Sequence, residues 1–209
     1  MGNDTDIAVI ESKWERSTNL SVRGLFELIA DTSYENPHAY HYEMANCKAG
    51  MKEAINRISS YRDCKYLYVA SHGDKDGLYL LNKGKITLTE LRKLLINIKL
   101  IDGLKLRGLY LSPCLFGTGE IANFMFDRSV DVGISWLAGY SKTVDWIESS
   151  ALDLLFFNEL IHIEKKTDAA TIQRVAKKLK TIAPQLVKAL GFGIYVRKQR
   201  VGGAKNLLA

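Results

Sequence analysis

The sequence predicts an α/β domain with a mainly parallel sheet, and three observations carry that prediction. Short apolar runs without helical period alternate with stretches whose apolar residues recur every three or four positions, the pattern of β-α-β units. Two of the runs, Tyr66-Leu67-Tyr68-Val69-Ala70-Ser71 and Gly108-Leu109-Tyr110-Leu111, are apolar at nearly every position, as strands buried on both faces are. Each is followed by a turn bearing a reactive residue: His72-Gly73 after the first, Pro113-Cys114 after the second. Open α/β sheets place their ligands at the carboxyl ends of their strands.

The elements follow in order. Ile7-Ala8-Val9-Ile10 is a first strand, and residues 14–19 are a polar connection. Ser21 is an expected N-cap for a helix through residue 30, with Val22, Leu25, Phe26 and Ile29 on one face. Residues 38–44 alternate and read as a second strand. A second helix spans 47–59, with Met51, Ala54, Ile55 and Ile58 inward. The third strand, 66–71, delivers His72. A small hairpin insertion follows it, with Asn82-Lys83-Gly84 in the turn. Thr87 and Glu90 have capping-box spacing at the start of the next helix, whose apolar face is Leu91, Leu94, Leu95 and Ile98.

The fourth strand, 105–111, delivers Cys114. Pro113 cannot donate to a ladder, so the strand ends before it. A short helix covers 119–127, and residues 130–139 hold a fifth strand. A long helix over 144–164 is apolar almost all round at its centre, which implies burial on two sides or docking on a partner. Residues 168–183 are amphipathic, with Lys177, Lys178 and Lys180 mostly outward, and Pro184 breaks or kinks that helix. Residues 191–197 form a last strand. The reading is one domain over residues 1–200, with 201–209 a loose tail.

Composition narrows the function classes. The chain has 209 residues, 47% hydrophobic and 25% charged, ordinary for a globular domain with one large core. No apolar run reaches membrane-spanning length, and the polar, acidic start is not a signal peptide. Three cysteines at irregular spacing argue against a disulfide framework and for a reducing, cytoplasmic setting. A net charge of +6 raises nucleic acid as a partner, but no nucleic-acid motif accompanies it, so solvated helix faces are favoured. No clustered ligands suggest a metal, and Phe116-Gly117-Thr118-Gly119-Glu120 lacks the Gly-Lys-Ser/Thr ending of a phosphate loop. No cofactor is expected.

His72 and Cys114 are the histidine and cysteine placed at strand ends beside glycine turns. A thiol is a poor nucleophile until its proton is taken, and a neighbouring imidazole can take it and later protonate a leaving amine. Gly73, without a side chain, can bring its N–H against a substrate carbonyl, and with the N–H of Cys114 would form an oxyanion hole. The bland alternative is a buried apolar cysteine and an ordinary His-Gly turn. Cys47 and Cys64 read as inert thiols.

An apolar block ending in His-Gly, followed by an apolar block ending in a small residue and Cys, resembles the double signature of the caspase-like cysteine peptidases. Trp14, Ser21-Val22-Arg23, Gly139-Tyr140 and Val144-Asp145-Trp146 look like a group of short bacterial CHAT-like proteins within them. The resemblance spans roughly residues 7–198. It implies a caspase-like three-layer α/β/α fold and a cysteine endopeptidase using His72 and Cys114, with Gly73 and Cys114 as oxyanion donors and no metal or cofactor. It also implies a protein substrate and activation by a protein partner in a bacterial defence or cell-death system. In the CHAT proteins and separase an acidic residue after the strand that follows the cysteine pairs with a basic P1 side chain. Asp145 is the best-placed counterpart and Asp74 the second, although Asp145 and Glu148 also have capping-box spacing. The competing reading is an inactive caspase-fold scaffold or adaptor, which Ser112-Pro113 ahead of the cysteine permits. A nucleic-acid module built on Lys177, Lys178 and Lys180 is a distant third.

Overall fold

The computed structural model of the chain describes residues 6–17, 19–61, 63–99, 106–163, 167–198 and 202–209. A seven-stranded sheet runs through its centre. The strands are β1 (Ile7–Glu11), β2 (His41–Met44), β3 (Tyr66–Ala70), β7 (Gly108–Leu111), β8 (Trp136–Tyr140), β9 (Phe192–Arg197) and β10 (Ala204–Asn206). Their spatial order is β10-β9-β8-β7-β3-β1-β2. The five strands from β2 to β8 are mutually parallel, while β9 and β10 are each antiparallel to their inner neighbour. A second, three-stranded sheet is made by β4 (His72–Asp74), β5 (Gly77–Tyr79) and β6 (Lys85–Thr87).

Alternation along the strands sorts two cores. On one face Ile7, Val9, Tyr66, Tyr68, Tyr110, Trp136, Tyr140 and Phe192 meet α1 (Arg23–Tyr34), α5 (Trp146–His162) and α6 (Asp168–Ile182). On the other, Ala8, Ile10, Leu67, Val69, Leu109 and Leu137 meet α2 (Lys48–Ser59), α3 (Leu88–Lys99) and α4 (Gly119–Met125). The first face is aromatic and the second aliphatic. With both faces covered, β1, β3, β7 and β8 are buried at every position, which is why they read as continuous apolar runs. Helix α5 lies between α1 on one side and α6 and α7 (Pro184–Leu190) on the other. That setting buries Leu152, Phe156, Phe157 and Leu160, while Leu154 and Leu155 are half-buried beside the exposed Leu28 of α1.

One polar cluster sits inside the aromatic layer. Asp153, near the middle of α5, is 3% exposed and accepts from Tyr68 Oη at 2.6 Å, from Tyr140 Oη at 2.5 Å and from Tyr110 Oη. Burial pushes its carboxyl up to about 6, against the three phenols, which favour the ionised form.

Caps explain several helix starts. Thr87 and Glu90 exchange the reciprocal bonds of a capping box, Glu90 N–H to Thr87 Oγ1 at 3.2 Å and Thr87 N–H to Glu90 Oε2 at 2.8 Å. Cys47 caps α2 through its sulfur, which accepts from Gly50 N–H at 3.4 Å. Ser21 does not cap α1. Val22 takes that position with no side-chain bond, while Ser21, one residue earlier, still accepts from Arg23 N–H at 3.1 Å as its hydroxyl donates to Glu11 Oε2 at 2.6 Å. The helix also runs on to Tyr34, and a left-handed Glu35 (φ 54°) ends it.

The C-terminal segment departs from the loose tail expected of residues 201–209. Ala204–Asn206 pair with β9 and extend the sheet by a strand, entered through Gly202 and Gly203 at φ 76° and 78°. Leu207 N–H then bonds the Ile194 carbonyl at 2.8 Å, and Leu207 and Leu208 pack on the aromatic face. Residue 105, the expected start of the fourth strand, and residue 164, the expected end of the long helix, lie outside the described residues.

Candidate active site

The parallel pairing of β3 with β7 sets the site. Val69 lies opposite Leu111, and Ser112 N–H continues the ladder to the Val69 carbonyl at 3.0 Å. His72 is three residues beyond Val69, and Cys114 three beyond Leu111. Equal offsets on adjacent parallel strands bring both residues out at the same carboxyl edge of the sheet. The turns are in contact there: a Cβ built on Gly73 would lie 2.6 Å from Pro113 Cβ and 3.6 Å from the Cys114 carbonyl oxygen. Only glycine lets the His-Gly strand lie this close to the cysteine loop.

The loop after Cys114 is fixed from three sides. Leu115 takes a left-handed conformation (φ 62°), leaving its own side chain partly exposed and turning Phe116 into the core. Leu115 N–H bonds the Lys142 carbonyl at 3.3 Å, and Gly117 N–H bonds the Tyr140 carbonyl at 2.7 Å. Gly117 presses on β8 so closely that a Cβ there would fall 2.0 Å from the Gly139 carbonyl carbon. Thr118 accepts from Ile121 N–H and so starts α4. Cys114 itself is half-buried, reachable from solvent yet held on a rigid turn.

The three cysteines occupy different settings. Cys64 is fully buried, and burial pushes its thiol up to about 12, the environment of an inert sulfur. Cys47 spends its sulfur on a helix cap.

His72 is the first residue of β4 and is exposed. Its Nε2 faces the main-chain carbonyl of Trp14 at 3.1 Å. A carbonyl only accepts, so Nε2 carries the hydrogen in that contact and Nδ1 of the neutral ring is left as the basic nitrogen. The Trp14 indole stands edge-on to the His72 ring with centroids 5.1 Å apart, and in the same way to Trp146 at 5.1 Å. The other histidines lie elsewhere: His41 stacks on Tyr61 at 3.6 Å, where burial lowers its pKa, and His162 Nδ1 meets the Asn158 carbonyl at 2.7 Å.

The sequence reading does not single out Glu11, the residue that organises this corner. Glu11 closes β1, is 0% exposed, and accepts four hydrogen bonds. Its Oε1 takes Trp14 Nε1–H at 2.9 Å and Val22 N–H at 3.0 Å. Its Oε2 takes the Ser21 hydroxyl at 2.6 Å and the Tyr42 hydroxyl at 2.5 Å. The available signal was strand parity: Glu11 continues the Ile7, Val9 series that faces the aromatic core, where a carboxylate must find partners.

The two acidic candidates for substrate binding differ. Asp74 is engaged within its hairpin: Oδ1 accepts from Asp76 and Gly77 N–H at 2.8 and 3.2 Å, and Oδ2 from Tyr79 Oη at 2.7 Å. These bonds, the Tyr79 phenol foremost, hold its carboxyl below the usual range. Asp145 is exposed and caps α5, with Oδ1 accepting from Ile147 and Glu148 N–H at 2.8 and 3.2 Å. Its Oδ2 has no hydrogen-bond partner among the described residues.

No family model matches the chain, and no curated protein matches it. A solved structure does. The crystal structure of caspase-1 from Spodoptera frugiperda superposes with a TM-score of 0.52 over 97% of this chain and 84% of its own, at 14% sequence identity. The central sheet flanked by helices on both faces is thus a caspase-like α/β fold. Among the described residues no helix is long and apolar enough to cross a membrane.

Proposed function

We propose that the protein is a cysteine endopeptidase with Cys114 as nucleophile and His72 as general base and acid. The observation that carries this reading is the contact of the two turns: Gly73 lies against Pro113 and Cys114 on adjacent parallel strand ends, while His72 Nε2 is occupied by the Trp14 carbonyl. The caspase-like fold supports it at the level of architecture.

In this reading His72 Nδ1 accepts the Cys114 thiol proton and the thiolate attacks the scissile carbonyl. The N–H groups of Gly73 and Cys114 receive the oxyanion. The tetrahedral intermediate collapses to a thioester as the imidazolium gives its proton to the leaving amine. Water, deprotonated by His72, then releases the acid and restores the thiol. Every proton stays on His72, Cys114 or the two products, so the cycle closes without a metal or cofactor.

The resemblance to short CHAT-like proteins extends the proposal to a protein substrate, to activation by a protein partner that raises a basal Cys114 reactivity already present in the isolated chain, and to a role in a bacterial defence or cell-death system. Asp145 is the proposed acidic wall for an Arg or Lys at P1, since its Oδ2 is available while Asp74 is used within its hairpin.

The test is covalent labelling of the purified chain by an acyl-methylketone peptide with Arg at P1. Wild type should be modified at Cys114, and Cys114→Ala and His72→Ala should lose labelling or cleavage by about 10³-fold or more while melting as wild type does. A wild-type protein that reacts no faster than a free thiol, with the fold intact, would instead support the inactive scaffold.

A further inference from the structure

We propose that Glu11 is a positioning residue for the site: through the Trp14 indole it holds the Trp14 carbonyl on His72 Nε2 and so keeps Nδ1 free as the base. The inference rests on the cysteine-peptidase reading for its importance, but not for its geometry. Trp14 lies in the irregular connection between β1 and α1, where no ladder or helix fixes the main chain. The main chain just before it is held by Lys13 N–H on Asn46 Oδ1 at 2.8 Å, and among the described residues the Trp14 side chain makes one hydrogen bond, Nε1–H to Glu11 Oε1 at 2.9 Å. Edge contacts with His72 and Trp146 complete its placement.

The same carboxylate pins both ends of that connection. Trp14 is at its start, and Ser21 and the Val22 N–H are at its end, where α1 begins. Tyr42 on β2 adds a fourth donor. A carboxylate has about four acceptor sites, so Glu11 is saturated. Its buried position at the end of β1 makes it part of the rigid sheet. The chain of contacts therefore runs from the sheet through Glu11 and Trp14 to the imidazole.

The chemistry of the donors predicts which replacements work. Oε1 faces two N–H groups, which can only donate, and Oε2 faces two hydroxyls, which can donate or accept. A glutamine fits with its oxygen on the N–H side and its amide on the hydroxyls. A leucine fits neither. Trp14→Phe keeps a ring against His72 and Trp146 but removes the indole donor.

The experiment reads the His72 tautomer by side-chain ¹⁵N NMR, with the His72 signals among four histidines assigned through His72→Gln, and the rate of Cys114 inactivation by the acyl-methylketone. Wild type should show the Nε2–H tautomer alone. Trp14→Phe and Glu11→Leu should show mixed tautomers and inactivation slowed about tenfold or more, and Glu11→Gln should restore both to within about threefold of wild type. If Glu11→Leu fails to fold, Trp14→Phe decides. A Trp14→Phe protein that keeps the single tautomer and the wild-type rate overturns the proposal. A tautomer that shifts as expected in a protein whose Cys114 is inert leaves the positioning role standing and removes the peptidase reading. An unshifted tautomer with a reactive Cys114 does the reverse.

Discussion

Glu11 and Asp153 are both buried carboxylates on the aromatic side of the sheet, yet they are held differently. Glu11 stands at the carboxyl end of β1 and takes two N–H donors with two hydroxyls. Asp153 stands in α5 above the middle of the sheet and takes three phenols. An N–H cannot reverse its role, so the Glu11 contacts fix positions. A phenol can donate or accept, and Tyr140 Oη also lies 3.0 Å from the Ser149 carbonyl and from Tyr110 Oη, so the Asp153 cluster can redistribute its hydrogens. The difference teaches that burial of a carboxylate has no single meaning. The first secures a loop that reaches the site, and the second secures the packing of a helix on a sheet.

The largest expected effect falls on the second. Asp153→Ala deprives three buried phenols of their acceptor and should cost about 3–5 kcal/mol of stability, read as a urea midpoint shift. Cys114 reactivity in the remaining folded protein should stay within about threefold of wild type. A loss under about 1 kcal/mol would mean that the phenols satisfy one another, and a large loss of Cys114 reactivity would erase the contrast with Glu11.

The next effect belongs to the site edge. In Gly73→Ala the added methyl meets Pro113 Cβ at 2.6 Å, so the His-Gly strand and the cysteine loop must part. Displacing the proposed oxyanion donor by that much should cost about 10²-fold in inactivation rate, with little change in melting. Unaltered reactivity would place the donors elsewhere.

A smaller effect tests the Asp153 cluster by pH. Folding raises the Asp153 carboxyl from its ordinary 3.8 to about 6, so between those values the folded state holds more proton than the unfolded chain. Its contribution to stability is therefore fully present below about pH 4 and is lost as pH rises through about 6. From pH 7 to pH 5 this amounts to a gain of about 1 kcal/mol. Asp153→Asn removes it, so the melting difference between wild type and variant should move in favour of wild type on acidification over that range. A difference that stays flat would show that the carboxylate remains ionised in its cage.

Much of this was legible from local pattern. Continuous apolar runs located β1, β3, β7 and β8, and the turns at their ends located His72 and Cys114. Thr87 and Glu90 announced their capping box by spacing. What escaped depended on non-local partners. Strand β4 is three residues, His72–Asp74, and becomes a strand only because β5 folds back on it after a two-residue turn. Strand β10 is Ala-Lys-Asn, with no strand propensity, and exists because β9 offers an unpaired edge. Ser21 had the chemistry of a cap and does accept from Arg23 N–H, but the helix starts one residue later than expected, after Val22, whose own N–H is held by the buried Glu11. Asp153 gave no sign in an otherwise apolar helix centre that three tyrosines from three different strands would converge on it.

The smallest expected effect concerns Asp145, where sequence spacing pointed to two roles at once. The N-cap role is present: Oδ1 accepts from Ile147 and Glu148 N–H. A carboxylate has a second oxygen, and Oδ2 at this exposed position is the part that a basic P1 side chain could meet. Asparagine caps a helix about as well as aspartate, so Asp145→Asn should change stability by no more than a few tenths of a kcal/mol. It removes the charge, however, and an exposed ion pair of this kind is worth roughly 0.2–1 kcal/mol. Cleavage or labelling of Arg- over Leu-containing P1 peptides should therefore fall about threefold in Asp145→Asn, with the loss shrinking as salt is raised, because the interaction is solvent-screened. The comparison requires only matched peptides and one variant at two ionic strengths. If the Arg preference survives unchanged, Asp145 is a helix cap alone and the P1 wall lies on another residue; if the preference is for Asp or a small apolar P1 from the outset, no acidic wall faces the substrate.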